Sequence, residues 1–264
     1  MLTFIGLGLH SELGISLEGL EEARRADIVF AEFYTSHMPG FSLGNLERLI
    51  GKRVQVLSRM DLEDEAERKV LEPARRHRCV LLTPGDPNVA TTHIALRLKA
   101  EKEDIRTFVI HAASVASAVA GVTGLQSYKF GRTVTIPFKS TSTSEIPYEH
   151  ICENMVRGLH SLALLDIDSE AGRYMTVNEG LEQLLDVEDR RGFGWLRLNR
   201  PAVGVARIGS KDMKVKADTI GKLGEYDWGG PPHCLIFPGR LHFMEAEALQ
   251  ILCGADMEIL RGLL

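Results

Sequence analysis

The chain has 264 residues, enough for one large or two modest domains with cores of their own. Hydrophobic residues make up 44% and charged residues 25%, an ordinary balance for a soluble globular protein. A net charge of −5 argues against a protein that coats nucleic acid, which needs a basic face, and leaves room only for a local basic patch.

Leu2 to Ile5 reads as a short apolar strand running into Gly6-Leu7-Gly8-Leu9. No basic segment or long apolar stretch precedes it, and no apolar run reaches the ~20 residues a bilayer span needs, so a cytoplasmic protein is expected. Ser16 to Arg25 has the signature of a helix, with Ser16 as N-cap and acids early. Asp27 to Ala31 is a second strand, Leu43 to Ile50 a helix stopped by Gly51, and Val54 to Leu57 a third strand. Glu63 to Arg78 is expected as a long charged helix, broken or bent near Pro73, with its charges on a solvated face. It feeds the strand Cys79 to Leu82. A helix over Thr91 to Glu103 and a strand over Thr107 to Ile110 complete a pattern of strands joined by crossovers. Such a pattern implies a mostly parallel sheet covered on both faces.

The composition changes after His111. Ala112 to Gly124 is rich in small residues and suits a closely packed helix at a domain junction. Strands are expected over Thr133 to Phe138, Ser161 to Ile167, Val203 to Ile208 and His233 to Phe237, and helices over Tyr148 to Gly158 and Thr176 to Asp189. Lys139 to Pro147 reads as a mobile Ser/Thr-rich loop, Gly229 to Pro232 as a turn cluster, and Met244 to Cys253 as an amphipathic helix. The expected organisation is α/β with two α/β domains, residues 1–112 and 113–264, on mostly parallel or mixed sheets.

The most specific local signal is Leu82-Thr83-Pro84-Gly85-Asp86-Pro87. Two prolines stiffen the loop and Gly85 opens dihedrals closed to other residues, so the turn presents one carboxylate at a strand's carboxyl end. Ligands bind at that edge in open α/β sheets. Asp86 then either accepts from a ligand hydroxyl or ammonium, or caps the helix that follows. Gly6-x-Gly8 resembles the start of a dinucleotide fingerprint, but Ser11 replaces its third glycine, and Glu32 is the only acid near the ribose position. A glycine-permitted turn is the better reading, so NAD is not expected. No GxxxxGK[ST] loop is present. Cys79, Cys152, Cys234 and Cys253 form no CxxC pair and read as buried reduced thiols. The histidines have no metal-ligand spacing, so no metal is expected. His233 either orients a ligand or satisfies a buried backbone group.

Several blocks together resemble the diphthine synthases of the tetrapyrrole-methylase-like superfamily. They are Phe4 to Leu9, Val29 to Ser36, Leu82 to Pro87 with Val89 to His93, and Val109 to Ala112 with Ser114. Tyr128 to Gly131, Leu165 to Ile167, Pro231 to His233 and Pro238 to His242 extend the likeness over essentially the whole chain. Ala31-Glu-Phe-Tyr-Thr-Ser36 and Ala90-Thr-Thr-His93 carry most of its specificity.

The resemblance implies an S-adenosylmethionine-dependent methyltransferase, its cofactor held in a cleft between two α/β domains, with S-adenosylhomocysteine as product. It also implies a homodimer. The implied substrate is elongation factor 2, at a histidine bearing a 3-amino-3-carboxypropyl group whose nitrogen is methylated repeatedly to give diphthine, on the route to diphthamide. The implied cofactor contacts are Leu9, Asp86, Val89, Ser114, Val115, Leu165, Ile208 and His233. Two positions depart from the pattern: Ala113 replaces a proline, and Ile208 replaces a smaller alanine and would narrow the adenine pocket. No catalytic base is nominated. Phe33, Tyr34 and Tyr128 are candidates for stabilising a growing ammonium by their faces. Two other readings stay open. A related enzyme would act on a tetrapyrrole or ribosomal RNA, and a non-catalytic protein would bind the cofactor without consuming it.

Overall fold

Strand β1 (Leu2–Gly6) is buried along its whole length, as a strand covered on both faces must be. It pairs in parallel with β4 (Cys79–Thr83) on one side and β5 (Thr107–Ile110) on the other. Next come β2 (Ile28–Ala31), parallel to β4, and β3 (Gln55–Val56), giving a five-stranded parallel sheet in the order β3-β2-β4-β1-β5. Successive residues alternate between two cores. Leu2, Phe4, Phe30, Cys79 and Leu81 pack on one face; Ile5, Val29, Ala31, Val80 and Leu82 pack on the other. The period of two follows from the strand pleat and leaves no polar face on the sheet.

The computed structural model describes residues 1–139 and 144–264, which divide into two compact units. The first comprises Met1–Val115 with Asp168–Gly172, and the second Ala116–Ile167 with Arg173–Leu264. In the first, α1 (Leu17–Arg25) is capped by the Ser16 side chain, which accepts from the Gly19 N–H. Helix α2 (Leu43–Ile50) ends at Gly51 in the left-handed conformation. The expected long helix 63–78 is interrupted. Helix α3 (Arg59–Glu63) precedes a π-helical turn over Glu67–Leu71, and α4 (Glu72–Arg76) follows. Pro73 has no N–H to continue the α ladder, and the wider π turn lets the Glu72 N–H reach the Glu67 carbonyl instead. Helix α5 (His93–Lys102) starts two residues later than expected. Helix α6 (Val115–Thr123) spans the change of unit.

Among the described residues the second unit carries a five-stranded mixed sheet, ordered β11-β10-β12-β7-β6. Its strands are β6 (Val134–Ile136), β7 (Ser161–Leu165), β10 (Pro201–Ala206), β11 (Lys214–Thr219) and β12 (His233–Phe237). Only β6 and β7 are parallel. Strands β8 (Ile167–Asp168) and β9 (Arg173–Tyr174) form a separate ribbon. Helices α7 (Ile146–Val156), α8 (Val177–Arg191) and α9 (Ile220–Glu225) complete the body, and α10 (Phe243–Cys253) and α11 (Met257–Leu260) close the chain. Strand β11 and helix α9 were not foreseen. The strand is an edge in which Ala217 alone is buried, so its apolar signal is short and weak. Helix α10 is not the simple amphipathic helix expected: Ala246 and Leu249 are buried, yet Phe243, Ile251 and Leu252 are exposed. Of the loop expected over 139–147, residues 140–143 lie outside the described residues. Lys139 is ion-paired with Asp186, and α7 begins at Ile146.

Buried polar groups knit the recognisable blocks of this unit together. Glu245 accepts from the backbone N–H of Gln126 and of His242 and bonds Lys129, while His160 Nε2 lies 2.9 Å from its carboxylate. Burial pushes this carboxyl up, but those bonds outweigh it and hold the pKa at about 2. All four cysteines are buried and free. No helix among the described residues is long and apolar enough to cross a membrane.

Gly204 in β10 lies against the buried Trp228 ring, where an added Cβ would fall 2.3 Å from Cη2. Gly204→Ala is expected to lower stability by about 1–3 kcal/mol, the usual overpacking cost, in urea denaturation. An unchanged midpoint would show that the ring gives way freely.

Candidate functional site

Parallel order brings the carboxyl ends of β4, β1 and β5 together, and the loops leaving them carry four of the expected residues. Past β1, Gly8 and Gly85 form a two-way backbone bridge: Gly8 N–H donates to the Gly85 carbonyl (3.2 Å) and Gly85 N–H to the Gly8 carbonyl (2.7 Å). This contact requires glycine. A Cβ on Gly6 would lie 2.5 Å from the Gly85 oxygen, and Gly8 and Gly85 have φ of +77° and +66°. Leu9 is thereby set beside the Asp86 loop.

Asp86 does not cap α5. Its Oδ2 lies 2.7 Å from His111 Nδ1 and accepts from the Ala112 N–H at 3.3 Å, while Oδ1 accepts from the Asn88 N–H at 3.1 Å. The carboxylate therefore ties the loop after β4 to the loop after β5, which leads to the buried Ser114 and to Val115 at the start of α6. The Val89 N–H bonds the Asp86 carbonyl at 3.2 Å, and Ala90 beyond it has φ +56°, a strained conformation for a residue with a Cβ. The Thr83 hydroxyl at the end of β4 is buried without a hydrogen-bond partner. Leu9, Asp86, Val89 and Ser114 thus share one edge of the first sheet.

Val115 opens α6, and the three that remain share one edge of the second sheet. The antiparallel register sets Ala206 opposite His233 and Leu164 opposite Cys234, so the ends of β7 and β10 lie beside the start of β12. Leu165 ends β7, Ile208 follows β10, and His233 opens β12. Arg207, buried at φ +53°, organises this edge: its guanidinium donates to the carbonyls of Trp228, Gly230 and Asp212 and to the Asp212 carboxylate. Sequence reading had passed over Arg207, since one arginine after a strand has no distinguishing pattern. Leu165 and Ile208 are buried, which leaves chiefly their backbone to offer a ligand.

The His233 ring is fully engaged. Nε2 lies 2.9 Å from the Gly230 carbonyl, and Nδ1 accepts from the Val177 N–H at 3.3 Å, one of the donors that α8 leaves open at its first turn. These partners define an Nε2–H tautomer, and burial pushes its pKa down.

Glu32 is not a ribose acid. It is fully buried at the end of β2; Oε2 accepts from the N–H groups of Tyr34 and Thr35, and Oε1 from the Thr35 hydroxyl. Of the aromatic candidates, Phe33 packs on Phe41, Tyr128 is exposed in the second unit, and Tyr34 lines a pocket in the first. No group of His, Cys, Asp or Glu among the described residues is arranged to hold a metal.

Residues 1–224 match the family model for tetrapyrrole (corrin/porphyrin) methylases. The diphthine synthase of Methanosarcina barkeri is 49% identical over 99% of both chains, and that of Methanocaldococcus jannaschii 46% over 96% of this chain and 99% of its own. The chain belongs to the diphthine synthase family. A crystal structure of a diphthine synthase superposes with a TM-score of 0.91 at 39% identity, covering 100% of this chain and 99% of the other. This diphthine synthase family member is accordingly a methyltransferase with the tetrapyrrole methylase fold.

The neutral His233 makes a specific stability prediction. Its pKa is depressed by folding, so its contribution is present above the ordinary value of 6.5 and is lost as pH falls through the folded value. A His233→Asn variant should be less stable than wild type above pH 7 in denaturant titrations, and the gap should narrow below pH 6.5. A constant gap would contradict the assignment.

Proposed function

We propose that the chain is an S-adenosylmethionine-dependent N-methyltransferase acting on the 3-amino-3-carboxypropyl group of a modified histidine in elongation factor 2. The supporting observation is the Asp86 tie at the carboxyl ends of β4 and β5, the edge where α/β sheets bind ligands. The donor set suits such a cofactor. Asp86 Oδ1 takes a single backbone bond, leaving acceptor capacity for an ammonium or ribose hydroxyl, and the partnerless Thr83 hydroxyl lies at the same strand end. In this reading the contacts fall at Leu9, Asp86, Val89, Ser114 and Val115 in the first unit and at Leu165, Ile208 and His233 in the second.

When bound, S-adenosylmethionine supplies a methyl already activated on a cationic sulfur. What is left for this chain's residues is alignment and exclusion of water. The glycine bridge and the Asp86 tie fix backbone groups before any ligand arrives, so little ordering is needed on binding. Asp86 acts as a positioning group, its Oδ2 holding His111 and the Ala112 N–H. Because its ring nitrogens are both occupied, His233 contributes shape and backbone rather than proton transfer. The reading carries with it a cytoplasmic homodimer that uses neither nucleic acid nor membrane. Exposed Met244 and Ile251, seven residues apart on α10, share one side of the helix and supply apolar surface for a second copy.

Incubation with S-adenosylmethionine and elongation factor 2 bearing the aminocarboxypropyl histidine should add whole methyl masses to the factor, read by mass spectrometry. No added mass would overturn the assignment, and transfer to a tetrapyrrole or RNA instead would redirect it. Asp86→Ala should weaken S-adenosylmethionine binding at least tenfold by calorimetry, as expected when a buried charged hydrogen-bond partner is removed. An unchanged affinity would remove Asp86 from the site.

A further inference from the structure

The edge that collects Leu9, Asp86, Val89 and Ser114 carries a further polar side chain, that of His111. Ile110 ends β5 in the core. Ala112 packs so closely against the neighbouring strand end that a Cβ on Gly6 would fall 2.6 Å from its own. His111 is set between these two fixed points, at the carboxyl end of the strand. Its side chain is 71% exposed, against 8% for Asp86, and its Nδ1 lies 2.7 Å from Asp86 Oδ2. That oxygen also accepts from the Ala112 N–H, so it serves as an acceptor and Nδ1 carries the proton.

A neutral ring with its proton on Nδ1 keeps a lone pair on Nε2. So exposed a ring leaves that lone pair open to an incoming group. The carboxylate behind it orients the ring and favours its imidazolium, as an acidic partner does behind a histidine that moves protons. His93 and His233 lie in equally recognisable blocks but have no nitrogen to offer. His93 Nε2 is buried out of reach, and both nitrogens of His233 are occupied.

We propose that His111 Nε2 accepts the proton of the amine to be methylated, with Asp86 holding the imidazolium that forms. The proposal rests on the functional reading above and deepens it by naming the base. Asp86 faces two ways: Oδ2 takes the histidine, and Oδ1 keeps capacity for the cofactor's ammonium or a ribose hydroxyl. In S-adenosylmethionine both of those groups are only a few bonds from the sulfur that carries the methyl. A ring tied to the other oxygen of the same carboxylate is therefore held near the methyl, where an amine lined up for transfer can meet Nε2.

An ammonium cannot attack carbon, because its nitrogen has no lone pair. One N–H proton passes to Nε2. The nitrogen pair then forms the N–C bond to the methyl as the C–S bond breaks; the C–S pair stays on sulfur, and the positive charge moves from sulfur to nitrogen. Nε2 releases its proton to the solvent it faces, and each later methylation repeats the removal until no N–H remains. An exposed base suits this repetition, since each round must pass its proton to water before the next.

His111→Asn keeps an N–H for Asp86 and removes the base. It should lower kcat by about 100-fold, the usual scale of general-base catalysis, with S-adenosylmethionine affinity by calorimetry within about twofold of wild type. His111→Ala should lose as much activity, and added imidazole, entering the open space, should recover about tenfold of it. Nitrogen-15 NMR of the histidine-labelled wild-type protein, free of ligand, should place the neutral His111 proton on Nδ1. Full transfer by His111→Asn, no rescue of His111→Ala by imidazole, or a proton on Nε2 would each overturn the proposal. Failure of the wild-type protein to transfer methyl at all would instead overturn the functional reading, and this role for His111 with it.

Discussion

The Asp86 carboxylate ends one loop and begins the organisation of the next. With Oδ2 on His111 and the Ala112 N–H, it fixes the distance between the carboxyl ends of β4 and β5. The strand between them, β1, is locked to the same loop by the Gly8–Gly85 bridge. A charged acceptor with little exposure loses more if left unpaired than an exposed one, so the three loops form one unit rather than three independent segments. Prolines on either side of Gly85-Asp86 reduce the freedom this geometry would otherwise have to freeze out.

The second unit reaches a similar result with opposite charge. Arg207 gathers the carbonyls of Trp228, Gly230 and Asp212, and so holds the turn that delivers His233 to the start of β12. In both units a non-glycine residue in the left-handed region stands beside an expected contact, Ala90 after Val89 and Arg207 before Ile208. Such strain persists where surrounding bonds over-determine the backbone, here the proline-rich loop in one case and the guanidinium network in the other.

Much of this was legible in the sequence because it is local. Strands Thr107–Ile110 and His233–Phe237 and the cap of Ser16 fall where apolar runs and capping chemistry put them. The misses have physical causes. Strand β11 is an edge with Ala217 as its one buried residue, so its core-facing signal is weak. The π turn before Pro73 is a backbone rearrangement that no side-chain pattern encodes. Capping by Asp86 was a fair local expectation, but its true partner His111 lies 25 positions away, brought near only by strand order. The same holds for Glu32 and His93: each belongs to a recognisable motif, yet their approach to 3.7 Å depends on β2 and β4 being neighbours. An Arg207 that binds carbonyls across a turn is likewise invisible until the turn exists.

Methyl transfer asks a protein to arrange groups more than to react with them. The two charged knots, each made within its own unit, meet that demand by fixing backbone before a ligand binds. Hydrogen exchange read by mass spectrometry, with and without S-adenosylmethionine, tests this most directly. Protection should gather on peptides covering residues 6–10, 84–92 and 111–116, and on those around Leu165, Ile208 and His233. Protection confined to other segments, or no change at saturating cofactor, would contradict it.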